Sequence, residues 1–333
     1  MDSTDHLVVN KLVDWLDRGE SAYLVTVVTT WGSSPRPSGS MLAVHQSGAP
    51  VGSVSGGCIE EHLIERIVNG EIAQHHPEIV LYGVTREEGE RFGLPCGGEI
   101  ELVVEKLTDV NEWRQVQQAL NGRTSVCRSV QLDSGNSELS SQLPVADCSL
   151  SNNTLTRLFG PRWQLFIVGA GDLSRAVADV ALALDYQVVV CDPRPEFTAN
   201  WDVAHTELVQ GMPDDLLRSR DIDDHCAVVT LTHDPRYDDM ALIEALESGA
   251  FYVGSLGSKR THQARLARLA ELDVPPQKIA RLRGPIGLPI GSHTPMEIAI
   301  AIAAELVAVR NDAPLGKRQF EPVLATSRHS ESR

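Results

Sequence analysis

No stretch of this sequence runs about 18 apolar residues without interruption, and its first residues are polar and acidic. A membrane span and a secretory signal peptide are therefore not expected, and the cytoplasm is the expected compartment. Positive charge is scarce: 29 Lys and Arg stand against 45 Asp and Glu, for a formal net charge of -16. A nucleic-acid binder would carry a basic face, so nucleic acid is not an expected partner. A local nest of N–H groups can still hold one small anion. Cysteine is sparse as well. The six are Cys58, Cys96, Cys127, Cys148, Cys191 and Cys226, and no two form a CxxC pair. That excludes a disulfide scaffold and leaves reduced thiols as the expected state.

What is present is organised around residues 163–194, WQLFIVGAGDLSRAVADVALALDYQVVVCDPR. The apolar run Leu165 to Val168 enters Gly169 and Gly171. Small and apolar residues follow to Leu184, and a second apolar run, Val188 to Val190, ends at Asp192. This pattern predicts strand, tight turn, helix and strand, with an acid about 20 residues past the glycines. Free N–H groups and the helix dipole favour an anion over such a turn. A phosphate could sit over Gly169 to Leu173, with Asp192 taking a ribose hydroxyl. The third glycine of the dinucleotide fingerprint is Ser174 here. The bland alternative is a βαβ unit whose turn merely needs glycine.

With 333 residues the chain has room for two domains. The expected class is α/β: a C-terminal Rossmann-like parallel sheet domain with a smaller N-terminal α+β domain. Residues 1–132 form the N-terminal domain. Residues 133–158, rich in serine and asparagine, read as a polar linker or excursion. Residues 159–315 form the Rossmann-like domain, and 316–333 a flexible tail. Within the first half, residues 6–18 space apolar residues like a helix, and Ser21 to Thr30 read as a buried strand. Residues 198–201 and 212–217 read as connectors or short helical turns, and 279–282 as a short strand. Met296 to Val309 predicts a long helix that is apolar all round. Such a helix needs cover on more than one side, from the other domain or from a second subunit, so a homodimer is expected.

Two cysteines have a glycine context. Cys58 follows Gly56 and Gly57 at the start of a predicted helix, where free N–H groups favour a thiolate. Cys96 precedes Gly97 and Gly98 in mirror order. Such a pair could hold a soft metal, exchange sulfur or grip a sulfur-containing cofactor. Any one buried thiol is just as readily a core residue. Cys191 and Cys226 sit in or at predicted strands and are expected in the core. Arg36, pinned between Pro35 and Pro37, is a phosphate clamp or a surface arginine. Arg194 could reach a phosphate. His233 and Asp234 lie just past a strand end, where open sheets bind ligands. Gly254, Gly257 and Lys259 could form a further anion nest. Glu297 stands three residues after Thr294, as in a capping box. An NAD(P)-dependent oxidoreductase is the alternative reading, with His233 as general acid.

Taken together these segments resemble the xanthine dehydrogenase accessory proteins, the XdhC/CoxI family. The matching pieces are GSSPRPSGSML at 32–42, GSVSGGCIEE at 52–61 and LPCGG at 94–98. In the second half they are FIVGAGDLSRA at 166–176, VVVCDPRPEF at 188–197, THDPRYD at 232–238, YVGSLGSKR at 252–260 and GPIGLPIGSHTPMEIAIAIAAE at 284–305. The family's glycine turn is usually GAGHVGRA. Asp172 and Ser174 replace its histidine and glycine, and Asp172 adds negative charge where an anion would dock. The resemblance implies a chaperone, not an enzyme with its own turnover. Its cargo would be molybdenum cofactor, as molybdopterin or its dinucleotide form. It would protect the cofactor, support its sulfuration by a cysteine desulfurase, and insert it into an apo molybdenum hydroxylase. That partner would be of the xanthine dehydrogenase or aldehyde oxidoreductase type, and a cofactor cytidylyltransferase is a further implied partner. The cofactor-binding residues implied are Cys58, Cys96, Arg36, Gly57, Gly97, Gly169, Gly171, Asp192, Arg194, His233 and Lys259; no metal ligand set is assigned.

Overall fold

The computed structural model of the protein describes residues 4–31, 36–57, 59–83 and 99–314. The chain divides into two compact units, Met1–Arg162 and Trp163–Arg333. Among the described residues no helix is long and apolar enough to cross a membrane.

The first unit opens with α1 (Thr4–Asp17) and the strand β1 (Ala22–Trp31). β1 pairs antiparallel with β2 (Met41–His45) on one side and with β5 (Glu99–Leu107) on the other. β3 (Pro50–Gly52) and β4 (Glu78–Tyr82) complete the order β3-β2-β1-β5-β4. Successive side chains of a strand point to opposite faces. Tyr23, Val25 and Val27 therefore meet Leu63 and Ile67 of α2 (Glu60–Val68). Ala22 and Leu24 meet Leu12 and Leu16 of α1 and Trp113 of α3 (Val110–Asn121). Cover on both faces explains why β1 reads as an unbroken run of apolar and β-branched residues.

The stretch 133–158, expected as a polar linker or excursion, contains three strands. β6 (Val126–Gln131) pairs with β7 (Ser137–Ser140) and with β9 (Thr154–Phe159), and β8 (Cys148–Ser151) pairs with β9. The result is a four-stranded antiparallel sheet, β7-β6-β9-β8. Its strands are four to six residues long, and β9 alternates half-exposed Thr154, Thr156 and Leu158 with buried Leu155, Arg157 and Phe159. Short strands with one wet face give little hydrophobic signal. The first unit accordingly runs on to Arg162. The expected tail at 316–333 lies outside the described residues.

The second unit is a six-stranded parallel sheet ordered β12-β11-β10-β13-β14-β15. Its strands are β10 (Gln164–Val168), β11 (Gln187–Cys191), β12 (Thr206–Val209), β13 (Cys226–Thr230), β14 (Tyr252–Ser255) and β15 (Leu282–Arg283). Counted from β10, the order is 3-2-1-4-5-6, the doubly wound dinucleotide-binding arrangement. The expected Rossmann-like sheet is therefore present. β12 falls between the two stretches read as connectors, which contain parts of the short helices α5 (Pro195–Thr198) and α6 (Pro213–Ser219). The strand expected at 279–282 is mostly displaced: Pro276–Ile279 is helical, and β15 starts at Leu282.

Strand alternation splits this unit's core in two. Leu165, Ile167, Val188 and Val190 face α4 (Asp172–Ala183) and α10 (Pro295–Arg310). Phe166, Val168, Val189 and Cys191 face α6, α7 (Pro235–Glu247) and α8 (Lys259–Glu271). The short α9 (Pro276–Ile279) completes the series. α10 seats Ala299, Ile302 and Leu306 in the first of these cores, while Met296 and Ile300 stay exposed. Its N-terminus carries the predicted capping box: Glu297 N–H donates to the Thr294 hydroxyl, and the Glu297 carboxylate accepts from Thr294 N–H.

The first unit also buries a charged triad. Arg128 donates to both carboxylate oxygens of Glu105, at 2.9 and 2.8 Å, and through Nε to Glu112 at 2.9 Å. Arg128 is 5% exposed and Glu105 3%. Removing one partner strands the other's charge away from water. Arg128→Met is expected to cost about 3 to 5 kcal/mol in urea unfolding. Retention of wild-type stability would show that the triad is dispensable.

Candidate functional site

The parallel sheet brings the second-half candidates to one edge. Gly169 and Gly171 follow β10, Asp192 and Arg194 follow β11, His233 follows β13, and Lys259 lies four residues past β14. All lie beyond the carboxyl ends of strands. The chain reverses direction across the sheet between β10 and β13, the crevice where doubly wound folds bind ligands.

The glycine turn is tied down on two sides. Gly169 N–H donates to the Cys191 carbonyl at 2.7 Å, and Ala170 N–H to Asp192 Oδ2 at 2.8 Å. Gly169 adopts φ +107°, and a Cβ there would lie 3.1 Å from Thr232 Cγ2 and 3.2 Å from the Leu231 carbonyl carbon. Only glycine suits that conformation and that gap. Gly171 differs: its φ is -87°, and a Cβ there would meet nothing within 4 Å. Backbone is thus open where α4 begins. Asp172, the first residue of that helix, is exposed, and Ser174 is buried.

Asp192 is fully buried and already engaged. Its Oδ1 accepts from Arg194 N–H at 3.0 Å and Nε at 2.9 Å, and its Oδ2 from Arg194 Nη2 at 2.8 Å. Burial pushes the carboxyl up, but the hydrogen bonds and charge of Arg194 and the Ala170 N–H bring it below the usual carboxylate range. The acid expected to meet a ribose is spent on the protein's own turn.

Across the crevice, the loop after β13 is braced from beneath. Thr232 donates its N–H and hydroxyl to Asp238 Oδ1, at 3.3 and 2.7 Å. Arg265 joins Asp238 Oδ2 at 3.2 Å to the Leu256 carbonyl at 3.1 Å, linking the loops after β13 and β14. Burial raises the Asp238 carboxyl, against the Thr232 hydrogen bond and the Arg265 charge. On this brace His233 is exposed, with φ +62°. Asp234 caps α7 by accepting from Arg236 N–H at 3.0 Å. Lys259 is exposed at the first turn of α8. Sequence reasoning missed Asp238 and Arg265, and also Glu305. That buried carboxylate accepts from the Tyr252 hydroxyl at 2.8 Å and Gly287 N–H at 2.7 Å. A charged residue on a helix face carries no local sign that it is buried.

In the first unit, Cys58, Cys96 and Gly97 lie outside the described residues. Arg36 is exposed. Gly57 has φ +115° in an exposed turn, after Gly56 at +81°. The N–H groups expected to favour a thiolate have another partner. α2 begins at Glu60, with Ile59 as its cap. The Glu60 carboxylate accepts from Ser53 Oγ (2.8 Å), Val54 N–H (3.2 Å), Ser55 N–H (2.9 Å), Gly57 N–H (3.0 Å) and Ile59 N–H (3.3 Å), and from the Ser55 hydroxyl. Burial alone would raise this carboxyl; the donors of Ser55 and Ser53 hold it down at about 2. The turn therefore carries its own anion. Cys191 and Cys226 lie in the core, as expected. Cys226 is fully buried and Cys191 1% exposed, with burial and the charges of Asp192 and Asp214 pushing the Cys191 thiol up to about 12.

Two measurements follow from these turns. Gly169→Ala is expected to lose about 1 to 3 kcal/mol in chemical unfolding, whereas Gly171→Ala stays within about 1 kcal/mol. Equal losses would contradict the open backbone at Gly171. Glu60 is held below its unfolded value, so its stabilisation is fully present above pH 4.5 and is lost as pH falls through about 2. The stability gap between wild type and Glu60→Gln should be widest near neutrality and shrink on acidification below pH 4.5. A pH-independent gap would remove the carboxylate from this role.

Comparison with known proteins agrees with this geometry. Residues 165–306 match the family model described as the XdhC Rossmann domain, and residues 15–83 the model of the XdhC and CoxI family. The chain is 26% identical over 322 residues to a probable xanthine dehydrogenase subunit of Bacillus subtilis, covering 89% of this chain and 95% of that protein. It is 28% identical over 316 residues to the "Molybdenum cofactor insertion chaperone PaoD" of Escherichia coli, covering 92% of this chain and 89% of that protein. A crystal structure described as a xanthine dehydrogenase from Bacillus halodurans shares the fold, with TM-score 0.73 at 24% identity, over 95% of this chain and 98% of its own. The chain belongs to the XdhC and CoxI family.

Proposed function

We propose that the protein is a chaperone that carries molybdenum cofactor as cargo and delivers it to a molybdenum hydroxylase of the xanthine dehydrogenase type. The observation that carries this reading is the near full-length similarity to a protein named a molybdenum cofactor insertion chaperone. The glycine turn supports it from the chain's own chemistry. Gly171 leaves backbone open at the start of α4, whose first N–H groups lack helical partners. A phosphate-bearing cargo suits that end. Arg194, 21% exposed beside the turn, supplies a nearby positive charge, and the exposed Asp172 opposes it. Cys58 and Cys96, outside the described residues, carry thiols of a kind that suits a soft metal or a sulfur transfer. Support of sulfuration by a cysteine desulfurase belongs to the same proposal. In this reading the Glu60 carboxylate, which already accepts the Gly57 and Ile59 N–H groups, leaves those two unavailable to a thiolate.

The test is to purify the protein from cells that make molybdopterin and to assay bound pterin and molybdenum. Enrichment over a control protein is expected, and its absence would sink the proposal. Cys58→Ser should keep the fold while lowering cofactor retention and the activity of the matured hydroxylase. Full partner activation by Cys58→Ser at matched expression would remove that thiol from the mechanism.

A further inference from the structure

We infer that the ribose position of this dinucleotide fold is closed, and that Arg194 is the residue that closes it. In the dinucleotide-binding arrangement, the acid after the second strand accepts the hydroxyls of a ribose. Asp192 occupies that place, directly after β11. An ionised carboxylate offers about four lone-pair sites. Ala170 N–H, Arg194 N–H, Arg194 Nε and Arg194 Nη2 supply four donors, all within 3.0 Å. The carboxylate has no exposed surface. A ribose diol brings two further O–H donors and finds no acceptor left.

Arg194 is built to stay where it is. Pro193 and Pro195 flank it and restrict its backbone, which is extended at φ -89° and ψ 113°. Its guanidinium lies 3.9 Å from the Phe197 ring centroid and 5.8 Å from that of Tyr237. An arginine held on aromatic faces and forked onto a buried acid loses little further entropy by remaining there. Swinging it away would leave the Asp192 charge buried without its counter-ion. Asp172 adds a second obstacle. It is exposed at the first position of α4, where a dinucleotide's pyrophosphate would otherwise meet the helix dipole.

The ligand class that this edge admits is therefore one whose docked end carries no ribose diol. If the cargo reading holds, that favours the nucleotide-free cofactor at this edge over a form docking through its nucleotide. The closure itself depends only on Asp192 and Arg194.

The experiment is calorimetric titration of the full chain with NAD+, which carries the diol. Wild type is expected to give no saturable heat. Arg194→Ala frees Asp192 and should give saturable binding, roughly tenfold or more tighter than the weakest affinity at which wild type shows no heat. Adding Asp192→Asn to that variant should erase the gain. Arg194→Lys keeps the charge but loses the fork, and is expected to show a smaller gain, which covers the case in which the alanine variant fails to fold. Saturable NAD+ binding by wild type that Asp192→Asn weakens would overturn the inference. A folded Arg194→Ala protein with no gain would do the same. Pterin retention by wild type is scored separately, so a failed cargo reading and a failed closure give different results.

Discussion

Two hydrogen bonds, from Gly169 N–H to the Cys191 carbonyl and from Ala170 N–H to Asp192, hold the ends of β10 and β11 in the relation on which the glycine turn depends. The parallel ladder sets the two strands side by side in register from Gln164 to Val168. It does not by itself decide the path of the chain beyond Val168. The acid does, by accepting from the turn on one side and from Arg194 on the other. Gly169 can then pass close under Thr232, and α4 starts with its backbone open at Gly171. The opposite wall depends on a second buried acid. Asp238 binds Thr232 and Arg265, and Arg265 reaches the Leu256 carbonyl, so the loops after β13 and β14 are tied to one another.

Much of the second unit was legible because its signals are local and periodic. The runs at Leu165 to Val168 and Val188 to Val190, the glycines between them and Asp192 sit within about 30 residues, the span of one βαβ unit. The capping box at Thr294 and Glu297 is legible for the same reason. Strands β7 to β9 of the first unit were not. Strands of four to six residues, serine-rich in β7 and β8, owe their order to partners brought in by the fold, and composition alone reads them as linker.

The site was legible in its positions and less so in its partners. Gly169, Gly171, Asp192, Arg194, His233 and Lys259 do share one edge, because strand ends were recognised in order. What the pattern does not carry is which donor reaches which acceptor. Asp192 has the spacing of a ribose acceptor, yet Arg194, two residues on, takes it. Glu60 looks like an ordinary first-turn acid, yet it gathers the N–H groups of Gly57 and Ile59. Both outcomes turn on a side chain folding back onto its own turn, a matter of rotamer and neighbour that spacing leaves open.

A turn that supplies its own counter-ion takes shape without waiting for a guest. With Glu60 seated among the donors of Ser53, Val54, Ser55, Gly57 and Ile59, these residues need no incoming anion to set their conformation. Whatever docks beside it meets a surface already ordered and leaves the same surface behind. Arrival then carries little ordering cost, and departure collapses nothing.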